Sequence, residues 1–246
     1  MNTITFQHKN INAGQEITLE TPLSEEEAQT QLAEIFEEEH YREGRVKRDM
    51  VVVDIGANMG LTCHYFAPYA RKIYALEPSS RLFEALVKNT QSLSQVETFN
   101  LGIAAHQGQD LLVSNDKGDV PQSFWGNGQI KELVSFVPLD MFFEENKIDK
   151  VDLLKIDTEG AEYIIFPSLG FEKVASKIDY IIGEAHYIDK QFVPDFIPLI
   201  LADYGFETKF LPITNVYLTL DFDRAEGGIK KYTVNKQTLF FAQRLK

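Results

Sequence analysis

From Val51 onward, short apolar runs rich in β-branched residues alternate with stretches whose apolar positions recur at helical spacing. The runs at 51–54, 72–77, 96–103, 151–157 and 178–184 predict buried strands. Between them the pattern predicts helices over 61–70, 79–91 and from Gly160 onward. A further helix over 189–204 is confined or kinked by Pro194 and Pro198. Such alternation builds βαβ units, and hence a largely parallel sheet. Two last strands, 206–211 and 238–243, flank a longer connection that contains Gly227 and Gly228.

Two stretches depart from this rhythm. Residues 1–22 alternate weakly around Asn12-Ala-Gly14 and predict a small hairpin. After it, Ser24 and Glu27 form a capping box, and Ala28, Leu32, Ile35 and Phe36 recur at helical spacing. The many glutamates there predict a surface helix with a solvated acidic face. This divides the chain into an extension at 1–48 and an α/β domain at 49–246. The second departure lies at 111–139, where β-like stretches at 110–114 and 132–138 enclose a polar loop at 115–129. That loop carries Trp125, the only tryptophan, as a lid or an anchor.

With 246 residues, 44% of them hydrophobic, the chain can bury the core of one α/β domain plus a modest extension. It has no apolar run of membrane-spanning length and no signal-peptide pattern at its start, so a soluble, cytoplasmic protein without a membrane partner is expected. A formal net charge of −13 opposes binding to duplex nucleic acid. Cys63, the only cysteine, excludes an intramolecular disulfide and suits a small core filler.

The candidate chemistry lies at the carboxyl ends of the strands, where an open parallel sheet binds its ligands. Asp54, Glu77, Asp157 with Glu159, and Glu184 all fall there. So many carboxylates at one edge repel one another unless a cationic ligand, a metal or buried donors offset them. In the turn Asp54-Ile-Gly-Ala-Asn-Met-Gly60, Gly56 and Gly60 permit close backbone approach to a nucleotide-like cofactor, and Asn58 lies between them. Glu77 comes 23 residues after Asp54 (77 − 54), the distance at which a doubly wound fold places an acid for ribose hydroxyls. Only two glycines, four positions apart, stand where G-x-G-x-x-G would need three, which counts against NAD or FAD.

Taken in order, Asp54-Ile-Gly-Ala-Asn-Met-Gly60, Leu76-Glu-Pro78, Leu139-Asp140, Lys155-Ile-Asp-Thr-Glu-Gly-Ala-Glu162 and Glu184-Ala-His186 resemble the FkbM-type methyltransferases, class I enzymes dependent on S-adenosyl-L-methionine. The resemblance spans roughly Val51 to His186. It implies a Rossmann-like, doubly wound α/β fold with a seven-stranded sheet, mostly parallel with an antiparallel last strand. It further implies that the turn with Gly56, Asn58 and Gly60 holds the methionine part of the cofactor. Asp54 would organise that turn or reach the amino group, and Glu77 would bind the ribose. The adenine would then lie near Pro78, Ser79 and the segment from Asn100 through Gly102 to Ile103.

The reaction expected is O-methylation of a small hydroxylated metabolite, sugar or natural product, and an alcohol needs a base or a metal beside it. Asp157 is the first candidate on the acceptor side, and it is also placed to cap the helix from Gly160. Glu184 and His186 are two residues apart, so Glu184 can orient a histidine base. Glu159 suits the first helical turn, and Glu162 suits a helix surface. A divalent cation held by Asp157, Glu184 and His186 is the less favoured alternative, and no metal ligand set is assigned. Lys155, inside an apolar strand, is expected to pair with one of these acids. Two other readings compete: a non-catalytic binding module on the same fold and a nucleotide-dependent oxidoreductase. The oligomeric state is left open.

Overall fold

The computed structural model describes residues 1–7, 16–114, 130–186, 194–211, 219–223, 228–233 and 237–245. The Asn12-Ala-Gly14 turn, the 115–129 loop with Trp125, and Gly227 lie outside the described residues. So does the 189–193 stretch where the fourth helix was expected to begin.

A seven-stranded sheet forms the centre. Its strands are β3 (Met50–Ile55), β4 (Ala70–Leu76), β5 (Val96–Phe99), β9 (Val151–Ile156), β10 (Ile178–His186), β11 (Phe206–Phe210) and β14 (Gln237–Arg244), in the order β11-β14-β10-β9-β3-β4-β5. The pairs joining β10, β9, β3, β4 and β5 are parallel, whereas β14 runs antiparallel to both β10 and β11. The chain therefore ends as expected, with an antiparallel last strand inserted beside the edge strand. β3 and β9 are buried along their whole length, which is why their sequences lack polar alternation.

Both faces are covered, and the period of two sorts the contacts. Val52, Leu153 and Ile182 share one hydrophobic cluster with the N-terminal segment: β1 (Asn2–Gln7), β2 (Glu16–Thr21), α1 (Glu25–Leu32) and the π-helical turn Ala33–Glu37. Helices α2 (Leu61–Phe66) and α3 (Ser80–Thr90) add to that face. Val53, Leu154 and Ile181 pack on the other face against α4 (Leu139–Glu145), α5 (Glu162–Ile165), α6 (Leu169–Ala175) and α7 (Phe196–Asp203). β1 and β2 pair antiparallel as the expected hairpin, and Ser24 with Glu27 makes the capping box of α1.

Three elements differ from expectation. The helix after the glycine turn stops at Phe66 rather than near residue 70, because Pro68 cannot continue it and β4 already begins at Ala70. The strand expected over 96–103 breaks after Phe99. There the Asn100 amide donates to the backbone oxygens of Glu77 and Pro78, and β6 (Gly102–Ile103) leaves to join a second sheet, order β6-β8-β7. That sheet uses β7 (Gly108–Ser114) and β8 (Ile130–Val137), the two β-like stretches read from the sequence. The connection after β11 holds a further hairpin, β12 (Thr219–Asp223) with β13 (Gly228–Thr233), where none was expected. No helix among the described residues is long and apolar enough to cross a membrane.

Candidate active site

The turn after β3 is held tightly on all sides. Gly56 adopts φ 79°, and a Cβ there would meet the Asp157 carbonyl oxygen at 1.9 Å, so only glycine lets β3 and β9 close at this end. The Gly56 and Ala57 N–H groups donate to Leu76 O at 3.0 and 2.9 Å, and Asn58 takes the left-handed conformation at φ 52°. Beneath the turn, Asp54 is fully buried; it accepts from Thr62 Oγ1 at 2.5 Å and lies 3.2 Å from Lys155 Nζ. Lys155 also donates to Gly56 O at 2.7 Å and sits 3.7 Å from Asp157. Burial works against its charge, yet Asp54 and Asp157 hold the ammonium pKa above the ordinary lysine value. The expected pairing of Lys155 with an acid is thus found, and Lys155 links buried Asp54 to the Gly56 carbonyl of the turn.

Glu77 projects from the end of β4 into the cleft, where one oxygen accepts from Asn58 N–H and the other from Ser79 N–H, each at 2.9 Å. Burial pushes its carboxyl up to about 7 despite these two donors. The cavity beside it, about 110 Å³, is walled by Glu77, Pro78, Leu82, Ile103, Leu112 and Phe136, with Gly102 at its back. A Cβ on Gly102 would come within 2.3 Å of the Phe136 ring, so glycine leaves that ring its place. Asn100, expected near the adenine, does not line this cavity; its amide ties down the Glu77–Pro78 backbone instead. Glu132 of β8, not foreseen from the pattern, accepts from Ser79 Oγ and Ser80 N–H at the start of α3.

A second cavity, about 360 Å³, shares Gln31, Gly56, Asn58, Asp157 and Glu159 with the first. Its remaining wall carries four glutamates, Glu26, Glu27, Glu34 and Glu184, against one lysine, Lys155, together with Tyr41 and apolar side chains such as Met59 and Leu61. The acidic helix is therefore not only a solvated face. Glu34 is half-buried, and burial, reinforced by Asp157, Glu38 and Glu159, pushes its carboxyl up to about 7. Nothing in the sequence pattern marks Tyr41, which follows the acidic helix. Its hydroxyl lies 3.1 Å from both Asp157 Oδ2 and Glu184 Oε1. A hydroxyl has one hydrogen to donate. The Tyr41 hydroxyl is thus placed to donate to either carboxylate, one at a time; burial, then the Asp157 charge, raises the Glu184 pKa well above its ordinary value.

His186 is oriented by Glu162, not by Glu184 as the two-residue spacing suggested. Its Nδ1 lies 3.0 Å from Glu162 Oε1, while Glu184 is engaged by Tyr41. Glu162, expected on a helix surface, is completely buried, and its Oε1 also accepts from Thr158 N–H at 3.0 Å. The other imidazole nitrogen, Nε2, is buried without a hydrogen-bond partner, 3.6 Å from Glu159 and 3.9 Å from Asp157. Burial alone would lower the His186 pKa, but Glu162 and Glu159 outweigh it and raise the pKa well above the usual histidine value. Asp157 makes no cap to α5; its oxygens face Tyr41, Lys155 and His186.

The sequence profile of a family described as the methyltransferase FkbM domain matches residues 54–208. No curated protein matches the chain. Among solved structures, the chain is similar to the methyltransferase FkbM from Methylobacillus flagellatus KT, at 15% identity and a TM-score of 0.51 over 79% of this chain. It spans only 43% of that protein's length. It is also similar to a putative methyltransferase from Streptococcus mutans in complex with SAH, at 9% identity and a TM-score of 0.47, covering 81% of this chain and 90% of that one. A third similar structure is the fibrillarin pre-rRNA processing protein of Methanococcus jannaschii, at 16% identity and a TM-score of 0.48, covering 81% and 68%.

Proposed function

Because the chain belongs to the FkbM methyltransferase-domain family, we propose that it transfers a methyl group from S-adenosyl-L-methionine to a hydroxyl of a small metabolite or glycan unit. The observation that carries this reading is the junction of the two cavities at Gln31, Gly56, Asn58, Asp157 and Glu159: one side suits a nucleoside, the other an acceptor. The donor side fits the cofactor by its own chemistry. Glu77 offers a carboxylate to ribose hydroxyls, and Leu82, Ile103, Leu112 and Phe136 offer apolar walls to a base. Gly56 to Gly60 leave the turn open to the amino-acid part. Bound there, the cofactor supplies a methyl activated by a sulfonium.

The chain's own residues then position the acceptor, since an in-line displacement gains most of its rate from alignment. Asp157 accepts the hydrogen bond of the acceptor hydroxyl, held in place by Tyr41 and by the charge of Lys155. Glu34, with a pKa near neutrality, is the neighbour suited to carry the proton away. The acidic wall favours neutral or amino-bearing acceptors over phosphorylated ones. Incubation with methyl-labelled cofactor and fractionated metabolites tests this reading: label in a hydroxyl-bearing acceptor supports it. Failure of the protein to bind S-adenosylhomocysteine by calorimetry refutes it.

A further inference from the structure

Asp157, Glu159 and His186 converge on one point between the acceptor cavity and β10, with one donor atom from each within 4.8 Å of the others. Two carboxylates alone would mean little there. The independent observation is His186 Nε2, which is buried, lacks any hydrogen-bond partner and points between them. Glu162 Oε1, 3.0 Å from Nδ1, is placed to accept the ring's N–H on that side, the tautomer in which Nε2 is free to bind a cation. Whichever tautomer the ring adopts, Nε2 makes no hydrogen bond where it faces two carboxylates, and without a bound cation those carboxylates favour a proton on the ring, which is the direction of its raised pKa.

The distances say what fits. Nε2 lies 3.6 Å from Glu159 Oε2 and 3.9 Å from Asp157 Oδ1, too long for direct hydrogen bonds. Two ligand atoms each about 2.1 Å from one ion stand up to about 4.2 Å apart, so both separations suit a shared cation. A carboxylate holding Nδ1–H while Nε2 faces the ligand is the usual support of a metal-bound histidine. The other Asp157 oxygen, Oδ2, is already occupied by Tyr41, which fixes Oδ1 toward His186. One imidazole with two carboxylates suits a divalent ion such as Mn²⁺ or Zn²⁺ better than a thiol-seeking metal.

We propose that Asp157 Oδ1, Glu159 Oε2 and His186 Nε2 form a divalent-cation site that holds the oxygen of the acceptor hydroxyl. This rests on the methyl-transfer reading only for its purpose; cation binding itself does not. Glu184, part of the ligand set considered from sequence, is not among the residues that converge there, and its Oε1 bonds to Tyr41 instead.

The test is a titration of the full chain, cleared of metal by a chelator, with Mn²⁺, following the free ion by electron paramagnetic resonance. The expected result is one saturable ion per chain with nitrogen coupling from an imidazole. Asp157→Asn and Glu159→Gln should each weaken binding by about tenfold or more, and His186→Gln should remove the nitrogen coupling. Glu159 is half-exposed, so its variant keeps the test sound if the buried substitutions unfold the protein. A parallel titration with S-adenosylhomocysteine separates the two claims. Wild type that binds the nucleoside but no Mn²⁺ overturns the cation site, as does Mn²⁺ binding undiminished in both carboxylate variants. Mn²⁺ binding with these losses supports the site even where the nucleoside fails to bind.

Discussion

Glu77 makes the donor side of the site sensitive to pH in a calculable way. Its carboxyl is raised to about 7 because burial removes it from water by more than the Asn58 and Ser79 N–H groups compensate. Ribose hydroxyls donate best to the ionised form, so binding requires loss of that proton. If only the ionised form binds, apparent affinity scales as 1/(1 + 10^(7 − pH)), which is roughly a thirtyfold loss between pH 8 and pH 5.5. Near pH 7 about half a proton should leave with each ligand bound.

Calorimetry with S-adenosylhomocysteine in two buffers of different ionisation enthalpy measures both quantities. Glu77→Gln should weaken binding by roughly 2–4 kcal/mol and flatten the profile, since the amide cannot titrate. The same group governs stability in the opposite sense. Its folded pKa lies above the ordinary 4.5, so its contribution is fully present below pH 4.5 and is lost as pH rises through 7. The loss is about 3 kcal/mol, read as the difference between wild type and Glu77→Gln. Affinity that changes by less than twofold from pH 8 to pH 5.5, with no proton release, refutes this account of Glu77.

Three further outcomes follow from the geometry. Tyr41→Phe removes the hydroxyl between Asp157 and Glu184; it should cost roughly 1–3 kcal/mol in denaturant melts and lower methyl transfer while leaving nucleoside affinity within about twofold. Lys155→Met strands Asp54 without its partner in the core, and chemical denaturation should show a loss of roughly 3–5 kcal/mol. Gly56→Ala drives a methyl into the Asp157 carbonyl oxygen and holds alanine at φ 79°, so thermal unfolding should show a loss of about 3 kcal/mol or more; an unchanged midpoint would disprove the close approach.

The donor side of the fold was legible because its signals are local. The β-branched run of β3, the two glycines of the turn and Glu77 at the end of β4 each fall within a few residues of the feature they create. The acceptor side was only partly so. Asp157 and Glu184 lie at strand ends where a parallel sheet must present them, but their partners come from far along the chain: Tyr41 stands 116 residues before Asp157 and 143 before Glu184. Glu162 shows the same limit. Its place on a short helix looks solvent-facing by periodicity, yet it is buried because β10 passes over it and His186 meets it. The split of 96–103 likewise depends on β8 claiming Gly102 and Ile103, a pairing that no local pattern encodes.

That division has a consequence for how the chain achieves specificity. The family match begins at Asp54, so it contains the turn, Glu77, Asp157, Glu184 and His186. Gln31, Glu34 and Tyr41 all precede it, yet they line the cavities, and Tyr41 hydrogen-bonds to the matched Asp157 and Glu184. The N-terminal segment is packed into the same hydrophobic cluster as the central strands, through Ile4, Leu19, Leu23 and Phe36, so these residues are held as firmly as the sheet itself. On the methyl-transfer reading proposed above, substitutions at Glu34 or Tyr41, which line only the second cavity, are expected to change acceptor selection more than S-adenosylhomocysteine affinity. Gln31 lines both cavities and is expected to affect both; acceptor turnover and calorimetry measure the two separately.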